Sequence, residues 1–319
     1  MLSVPRLKIL LEVEATGSFS AAAESLSYTQ SAVSQAIAAL EAEAGTPLLE
    51  RDRRGTRPTP AGAALIDHAR VIVARLETAE EEVAAIAGGR RGKLRLASFP
   101  TAGATLIPLA VATFREANPG IELSLAEGEP EEIAPRLRAH EFDLALLFEF
   151  HGVGRRRLSG AQRTELLDDP MRLALPAGHR LAEKRTVRLE DLRNEPWVQS
   201  SEASPCARHV VRSCLAAGFE PQVSFESDDY QTVQGLVAAG VGVALIPELA
   251  LTTVRADIVV RSLGRRSPVR TVIAGTAAGP VEPPVAAMLD SLRTVSRAYR
   301  YSGRAPDPAA AAAPRTTTG

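Results

Sequence analysis

The sequence predicts an α/β protein in three parts: an N-terminal all-α winged helix-turn-helix, a long linker helix and a two-lobed α/β domain. Three observations predict this order. A tight break separates one short helix from a second helix whose outer face carries no charge. An arginine-rich turn comes next. Beyond residue 93, apolar strands alternate with helices, the pattern of an α/β fold.

Three short helices make up the predicted helix-turn-helix within residues 1–59. We expect them at residues 5–15, 18–26 and 29–44, with Gly17 ending the first and Ser18 capping the second. Thr29 is a suitable N-cap for the third, because its hydroxyl can accept a backbone N–H of the first turn. Gly45, with proline soon after it, ends that helix.

The third helix has the surface of a helix that enters a DNA groove. Its apolar residues recur at spacings of four and three on one face: Val33, Ile37, Leu40 and Ala44. The opposite face carries Ser31, Gln35, Ala38 and Ala42, with Ser34 beside them. Small side chains allow close approach to DNA, and glutamine can pair with a base edge. Acidic residues come only in the last turns, at Glu41 and Glu43.

A basic turn follows the third helix. Four arginines and one aspartate lie between residues 51 and 57, a local charge of +3, and Gly55 predicts a turn between two short strands. A charge run is usually a solvated turn. Because this charge run follows a helix whose surface suits a DNA groove, we interpret it as a wing that contacts the phosphate backbone or the minor groove.

Residues 60–87 predict one long helix with a narrow apolar stripe. The stripe alternates spacings of four and three over Leu65, Ala69, Ile72, Leu76, Ala79, Val83 and Ile86. This is a coiled-coil pattern, and at about 1.5 Å per residue the helix spans roughly 40 Å. We expect it to form a homodimer with a second copy; the alternative is packing on its own domain. Residues 88–92 predict a hinge.

Residues 93–303 predict a domain of two α/β lobes. The first lobe is expected to combine about 93–162 with 268–303, and the second to cover about 163–267. Alternating strands and helices predict a mostly parallel sheet, with one continuous helix over residues 101–117 and a polar break after residue 150. Residues 304–319 lack apolar periodicity and predict a disordered tail.

Two stretches resemble the LysR-type transcriptional regulators, and the resemblance covers residues 3–300. They are FSAAAESLSYTQSAVSQAIAALEAEAGTPLLERDRRGTRPTPAG in the N-terminal part and LVAAGVGVALIPE near the C-terminus. The resemblance implies a domain similar to periplasmic binding proteins. A small-molecule effector in its cleft would shift a dimer or tetramer on promoter DNA. At position 49 the family usually has an aromatic residue and this chain has leucine, a conservative core change.

The resemblance also implies which residues contact DNA. They are Thr29, Gln30, Ser31, Ser34 and Gln35 on the third helix and Arg51, Arg53 and Arg57 in the wing.

The effector cleft is expected where strands end and helices begin, because free backbone N–H groups point inward there. The predicted cleft residues are Ser98, Thr101, Phe148, Ser200, Ser201, Ser204, Asp228 and Ile246. Hydroxyls and free amides suit a carboxylate, and helix capping is an equal explanation for any single serine. Nearby acidic residues weaken the case for an anion, so an amine-bearing or neutral effector stays open.

The remaining sequence features bear on other classes of protein. The chain has no phosphate loop, nucleophile elbow or metal-spaced cluster, so we expect no enzyme, cofactor or metal. A net charge of -1, two cysteines, no signal peptide and no apolar run of the ~20 residues needed to cross a bilayer predict a cytoplasmic protein without membrane contact. A cytoplasmic solute-binding protein is one alternative.

A redox-sensing regulator is the other alternative. Cys206 and Cys214 lie eight residues apart on one predicted helix, about 12 Å at ~1.5 Å per residue. A disulfide needs Cα atoms within about 7 Å, so the helix would have to unwind. Two small buried core residues explain the pair more simply.

Overall fold

The structure, a computed structural model, describes residues 1–52, 55–87, 92–150 and 161–302. The chain packs as two compact units. One holds Met1–Arg95 with Gly120–Ser124 and Pro135–Asp143, and the other holds Leu96–Pro119, Leu125–Ala134 and the chain from Leu144 onward. Arg53, residues 88–91 of the expected hinge and the expected disordered tail lie outside the described residues.

The three predicted N-terminal helices are confirmed. They are α1 (Val4–Thr16), α2 (Phe19–Ser25) and α3 (Gln30–Ala44). The predicted caps are also present, because Ser18 Oγ accepts the Ala21 N–H and Thr29 Oγ1 accepts the Ala32 N–H. Ser27 takes a left-handed conformation with φ of 57° in the turn between α2 and α3. Local capping and turn signals therefore define this part of the fold.

The apolar face of α3 forms part of a single core. Val33, Ile37 and Leu40 are buried and pack with α1, with α2 and with Leu48. Ala44 is exposed, so the predicted inner face ends at Leu40. The last turn of α3 has passed the edge of this core.

The wing and the long helix follow directly. The wing consists of β1 (Leu49–Asp52) and β2 (Gly55–Pro58), paired antiparallel with Leu49 opposite Pro58. Helix α4 spans Pro60–Ala87, the bounds that the sequence predicts. A Cβ atom at Gly62 would lie 1.8 Å from the Leu48 carbonyl oxygen, so the start of α4 can approach the wing this closely only with glycine.

Helix α4 has two apolar faces with different environments. Ile66, Ala69 and Val73 are buried in the core shared with α1–α3, and Leu65 packs against it. The predicted stripe is therefore partly wrong, since its first two members pack on their own unit. Farther along α4, four described stripe residues are exposed: Ile72 at 42%, Leu76 at 38%, Val83 at 68%, and Ala79.

The second half of the chain is a mixed α/β domain. Its strands are β3 (Lys93–Ser98), β4 (Glu122–Glu127), β5 (Leu144–Phe150), β6 (Ala161–Pro176), β7 (Pro196–Gln199), β8 (Gln222–Glu226), β9 (Ala244–Pro247), β10 (Ile258–Arg261) and β11 (Val269–Ala277). Its helices are α5 (Pro100–Gly103), α6 (Leu106–Ala117), α7 (Pro130–Arg138), α8 (Pro205–Ala216), α9 (Tyr230–Ala238) and α10 (Pro283–Ser302). The larger sheet has the order β10-β6-β11-β5-β3-β4, with β9 also on β6, and β7 pairs with β8.

Strand β6 explains how two lobes arise. Its first part pairs with β11, and its last part pairs with β9 and β10, all antiparallel. We use "first lobe" for β3–β5, α5–α7, β11 and α10, and "second lobe" for β7–β10, α8 and α9. The expectation of a mostly parallel sheet is wrong, because β6 and β11 run antiparallel to their neighbours.

Two boundary predictions are also wrong. Strand β6 already begins at Ala161, inside the expected polar break, whose residues 151–160 lie outside the described chain. The single helix expected over residues 101–117 is instead α5 and α6. Thr105 interrupts it with φ of -122° and ψ of -67°, and its hydroxyl donates to the Thr101 carbonyl oxygen over 2.6 Å.

Candidate DNA-binding surface and effector cleft

The outer face of α3 is exposed as the sequence predicts. Gln30, Ser31, Gln35, Ala38 and Ala42 are exposed. Val33, Ile37 and Leu40 hold the opposite face in the core, so the orientation of α3 is set by burial. The exposed surface consists of amides, hydroxyls and methyl groups.

Hydroxyl groups organise the first turn of α3. Thr29 Oγ1 lies 3.0 Å from Ser31 Oγ and 3.2 Å from the Ala32 nitrogen. Ser34 lies one turn further along and is half-buried. These groups present hydrogen-bonding atoms at the N-terminal end of the helix, where the helix dipole also favours an anion such as a DNA phosphate.

The wing has one arginine whose side chain is described. Arg57 is exposed on β2, opposite Glu50 of β1. Arg51 belongs to β1, and only its backbone is described. Backbone hydrogen bonds hold the hairpin against the helices, including Thr56 N–H to the Gly17 carbonyl oxygen at 3.0 Å. Of the three predicted wing arginines, Arg57 is therefore the one whose side chain the structure places.

Arg270 contacts two of the residues predicted for the effector cleft, Thr101 and Phe148. Its side chain on β11 is 2% exposed, and Nε and Nη2 each lie 2.8 Å from Oδ2 of Asp169. Nη2 also donates to Thr101 Oγ1 over 2.6 Å, and Nη1 lies 3.6 Å from Cys206 Sγ. The guanidinium is thus satisfied inside the protein.

In both members of this pair, burial and the charge of the partner shift the pKa in opposite directions. Burial is the largest single influence and lowers the pKa of Arg270, but Asp169, Cys206 and Tyr230 together outweigh burial and raise that pKa. Burial raises the pKa of Asp169, while Arg270 and the Leu249 N–H act to lower it. Each charge is tolerated in the interior because the other is present.

Aromatic rings surround the guanidinium and extend to the second lobe. Its Cζ lies 4.9 Å from the ring centroid of Phe99 and 4.7 Å from that of Phe148. Phe148 contacts Phe150 edge-on at 5.8 Å. Phe150 then stacks on the His209 ring of α8, with centroids 3.8 Å apart and planes at 8°. The series links β11 and β5 to α8.

Helix α8 has a second contact with the first lobe. Arg208 Nη2 donates to Glu131 Oε1 of α7 over 2.5 Å. Arg208 also donates to the Ala203 carbonyl oxygen just before α8. Together with the stack of His209 on Phe150, this ion pair connects the lobes along one helix.

Most of the predicted cleft residues have defined contacts. Thr101 and Phe148 touch Arg270. Ser201 donates from its nitrogen and its Oγ to the two carboxylate oxygens of Asp228, each over 2.9 Å. Ser200 Oγ donates to Tyr230 Oη over 3.5 Å.

The other predicted cleft residues have structural contacts. Ser98 is fully buried, and its Oγ donates to the Phe99 carbonyl oxygen. Ser204 caps α8 by accepting the Cys206 N–H, which is the capping alternative. Ile246 is fully buried in the apolar cluster of the second lobe with Val233 and Val237.

Acidic groups face the Arg270 region from both lobes. Burial raises the pKa of Glu129 to about 7; Arg270 opposes this rise, and Glu131, Asp228 and Glu132 add to it. Glu129 Oε2 is buried without a hydrogen-bond partner in the described residues. With this pKa, about half of Glu129 is protonated near pH 7, and the protonated form can donate a hydrogen bond.

Both cysteines are buried and free in the described chain. Burial raises the pKa of Cys206, although Arg270 opposes the rise. Burial raises the pKa of Cys214 to about 12. Because the thiolate is the reactive form, these raised pKa values disfavour reaction of both thiols.

The described residues have neither a metal-binding cluster nor a membrane-spanning helix. They contain no group of three or more His, Cys, Asp or Glu side chains arranged to hold a metal ion. No described helix is both long enough and apolar enough to span a bilayer.

Sequence reasoning missed Arg270, Asp169, Glu129 and Tyr230. For Arg270 a signal existed, since Arg270 is the one charged residue of the mostly apolar strand β11. A charged residue in a central strand must find a partner. The partner could not be read from the sequence, because Asp169 lies 101 residues away.

Two known protein families match this chain. It matches the bacterial regulatory helix-turn-helix protein, lysR family, over residues 5–63 and the LysR substrate binding domain over residues 87–297. It is 32% identical to the probable HTH-type transcriptional regulator LrrA of Synechococcus elongatus over 312 residues, 95% of this chain and all (100%) of that protein. It is also 32% identical to a probable hydrogen peroxide-inducible genes activator of Mycobacterium avium over 253 residues, 78% of this chain and 79% of that protein.

A solved structure shows the same fold. Full-length CbnR, determined in complex with its target DNA, is similar with a TM-score of 0.63 and 24% identity, over 92% of this chain and 99% of that chain. The chain belongs to the LysR family of transcriptional regulators, which bind DNA and carry an effector-binding domain.

Proposed function

We propose that this regulator binds promoter DNA by inserting α3 into the major groove while the wing contacts the backbone. The contacting residues are Thr29, Gln30, Ser31, Ser34, Gln35, Arg51, Arg53 and Arg57. One observation carries this proposal: the exposed face of α3 is uncharged and made of small residues and amides. A solvated helix face is usually charged, whereas a groove-binding face needs close approach.

We further propose that a small-molecule effector acts between the two lobes. The supporting feature is the convergence of both lobes on Arg270, through Thr101 and Phe148 from one side and Cys206 from the other. The chain would act as a homodimer through α4, or as a tetramer, without catalytic activity, in the cytoplasm with the DNA. Residues 1–59, 60–87, 88–92 and 93–303 remain our proposed domain boundaries.

Redox sensing through Cys206 and Cys214 is the weaker alternative. The name of the Mycobacterium avium relative favours it. The raised pKa of both buried thiols disfavours it. A solute-binding function would leave the exposed face of α3 without a role.

Fluorescence anisotropy with duplex from upstream of the protein's own gene tests the DNA-binding surface. Gln35→Ala should weaken binding to this duplex more than to a random duplex. Arg57→Ala should weaken both and reduce the slope of log Kd against log salt by about one. Arg293→Ala removes the same charge from α10 and should change neither. Unchanged binding by both Gln35→Ala and Arg57→Ala contradicts the assignment.

A further inference from the structure

The carboxylate of Glu41 joins α3 to the wing. Its Oε1 accepts the backbone N–H of Leu48 over 2.8 Å and that of Leu49 over 3.2 Å. The carbonyl oxygen of the same residue accepts the Gly45 N–H where α3 ends. Glu41 therefore bridges the turn between α3 and β1 with its side chain, in addition to standing in the last turns of the helix.

The backbone that Glu41 holds is fixed on its other side by α4. Leu48 is 1% exposed, and its carbonyl oxygen accepts the Thr59 N–H over 2.9 Å. The close approach of Gly62 to that oxygen leaves no room for a side chain. The start of β1 is thus set from two directions, by a side chain of α3 and by the backbone that begins α4.

The position of β1 determines the position of the wing arginine. Strand β2 is paired with β1 in a single register, which places Arg57 opposite Glu50. A shift at the start of β1 is therefore passed to Arg57. We propose that Glu41 is a positioning residue for DNA binding, which holds the wing so that α3 and Arg57 can engage one duplex together.

This proposal rests on the proposed DNA-binding surface. It predicts a change in DNA affinity opposite to the change expected from charge alone. A carboxylate near DNA repels phosphates, so its removal should tighten binding if charge alone mattered. Loss of the wing's position should weaken binding. Glu41→Ala and Glu43→Ala change the net charge equally on the same helix. Glu43 pairs with Arg6 and serves as the matched control.

Anisotropy titrations with the upstream duplex and a random duplex, at several salt concentrations, separate these effects. We expect Glu41→Ala to weaken binding about fivefold or more, because two hydrogen bonds to a charged acceptor are lost. The slope of log Kd against log salt should fall by about one, as for one lost phosphate contact. Glu43→Ala should bind as wild type or more tightly. Equal behaviour of the two variants would overturn the proposal.

Double-mutant cycles test whether Glu41 acts through the wing. Arg57→Ala should cost less affinity in the Glu41→Ala background than in wild type, because the contact is already impaired. Gln35→Ala should cost the same in both backgrounds. Additivity in both cycles would show that Glu41 does not position the wing.

The conservative variant Glu41→Gln tests the proposal even if Glu41→Ala fails to fold. Circular dichroism and melting establish whether Glu41→Ala folds; Glu41→Gln keeps an acceptor oxygen that is neutral and weaker. Glu41→Gln should lose less affinity than Glu41→Ala, and Arg57→Ala should again cost less affinity in this background than in wild type. If Arg57→Ala costs as much in the Glu41→Gln background as in wild type, the proposal is contradicted. Failure of wild type to bind either duplex is a distinct result, which removes the proposed function itself.

Discussion

Arg270 and Asp169 are direct cross-strand neighbours that form an ion pair inside the effector-binding domain. They face each other in the β11–β6 register, with side chains 2% and 0% exposed. The same guanidinium also holds Thr101 and lies over two phenylalanine rings. Asp169 pairs with β11 and Met171 pairs with β9, so this ion pair lies where β6 passes from the first lobe to the second.

Removing one member of this pair should strongly destabilise the domain. Asp169→Ala leaves a buried guanidinium without a counter-charge, a loss of about 3–5 kcal/mol in the free energy of unfolding. Replacing both residues, as Arg270→Met with Asp169→Leu, should recover most of that loss. Urea denaturation can be followed by the fluorescence of Trp197, the one tryptophan of the chain, which is fully buried.

An exposed pair provides the control for this measurement. Asp290 and Arg293 on α10 form an ion pair at 2.8 Å with side chains 73% and 44% exposed. Asp290→Ala should change the free energy of unfolding by about 0.5 kcal/mol or less. A similarly small effect of Asp169→Ala would mean that the buried pair is not ionised in the native state.

The sequence predicted the N-terminal part closely, because its signals are local. Ser18 and Thr29 cap the helices they precede, and the burial of Val33, Ile37 and Leu40 follows their spacing. The wing and the bounds of α4 also depend on residues close in sequence. In such segments, a capping group and its target lie within one turn of each other.

The candidate cleft was predicted less completely, because the contacts around Arg270 are long-range. Arg270 contacts Asp169 at a sequence separation of 101 residues, Cys206 at a separation of 64 and Thr101 at a separation of 169. Side-chain spacing contains no information about such pairs. The serines that were predicted are real features of strand and helix ends, but Ser204 shows that a cap and a ligand contact look alike in sequence.

The cysteines should be insensitive to peroxide. Burial raises the pKa of both thiols, to about 12 for Cys214, so little thiolate exists at neutral pH. Incubation of the native chain with hydrogen peroxide, followed by denaturation and thiol titration, should return both thiols. Mass spectrometry showing a Cys206–Cys214 disulfide would instead support redox sensing. A parallel incubation of the denatured chain confirms that the thiols can react once exposed.

Stability should fall as pH rises through the range in which Glu129 ionises. Its pKa is raised to about 7 from an ordinary 4.5, so the folded chain binds this proton more tightly than the unfolded chain. Folding therefore loses free energy between these two pH values. Glu129→Gln removes the ionisation, so its Tm should match wild type below about pH 4.5 and exceed it increasingly up to about pH 7, above which the difference should stay constant.

Melting curves at half-unit pH steps, followed by Trp197 fluorescence, measure this difference. Glu116→Gln, an exposed position on α6, should follow the wild-type pH dependence throughout. A Tm difference for Glu129→Gln that does not change with pH would contradict the assignment of this proton to Glu129.

The exposed stripe of α4 should mediate self-association. Ile72, Leu76 and Val83 are 42%, 38% and 68% exposed, while the other face of the helix is buried against α1. Apolar residues at these spacings are the seam of a coiled coil, and pairing with a second copy would remove them from water. Ile72→Gln with Leu76→Gln should therefore halve the mass of the full-length protein in light scattering, whether wild type is a dimer or a tetramer. Asp67→Asn, on the opposite side of α4, should leave the mass unchanged, and an unaltered mass in the double variant would show that the subunits associate elsewhere.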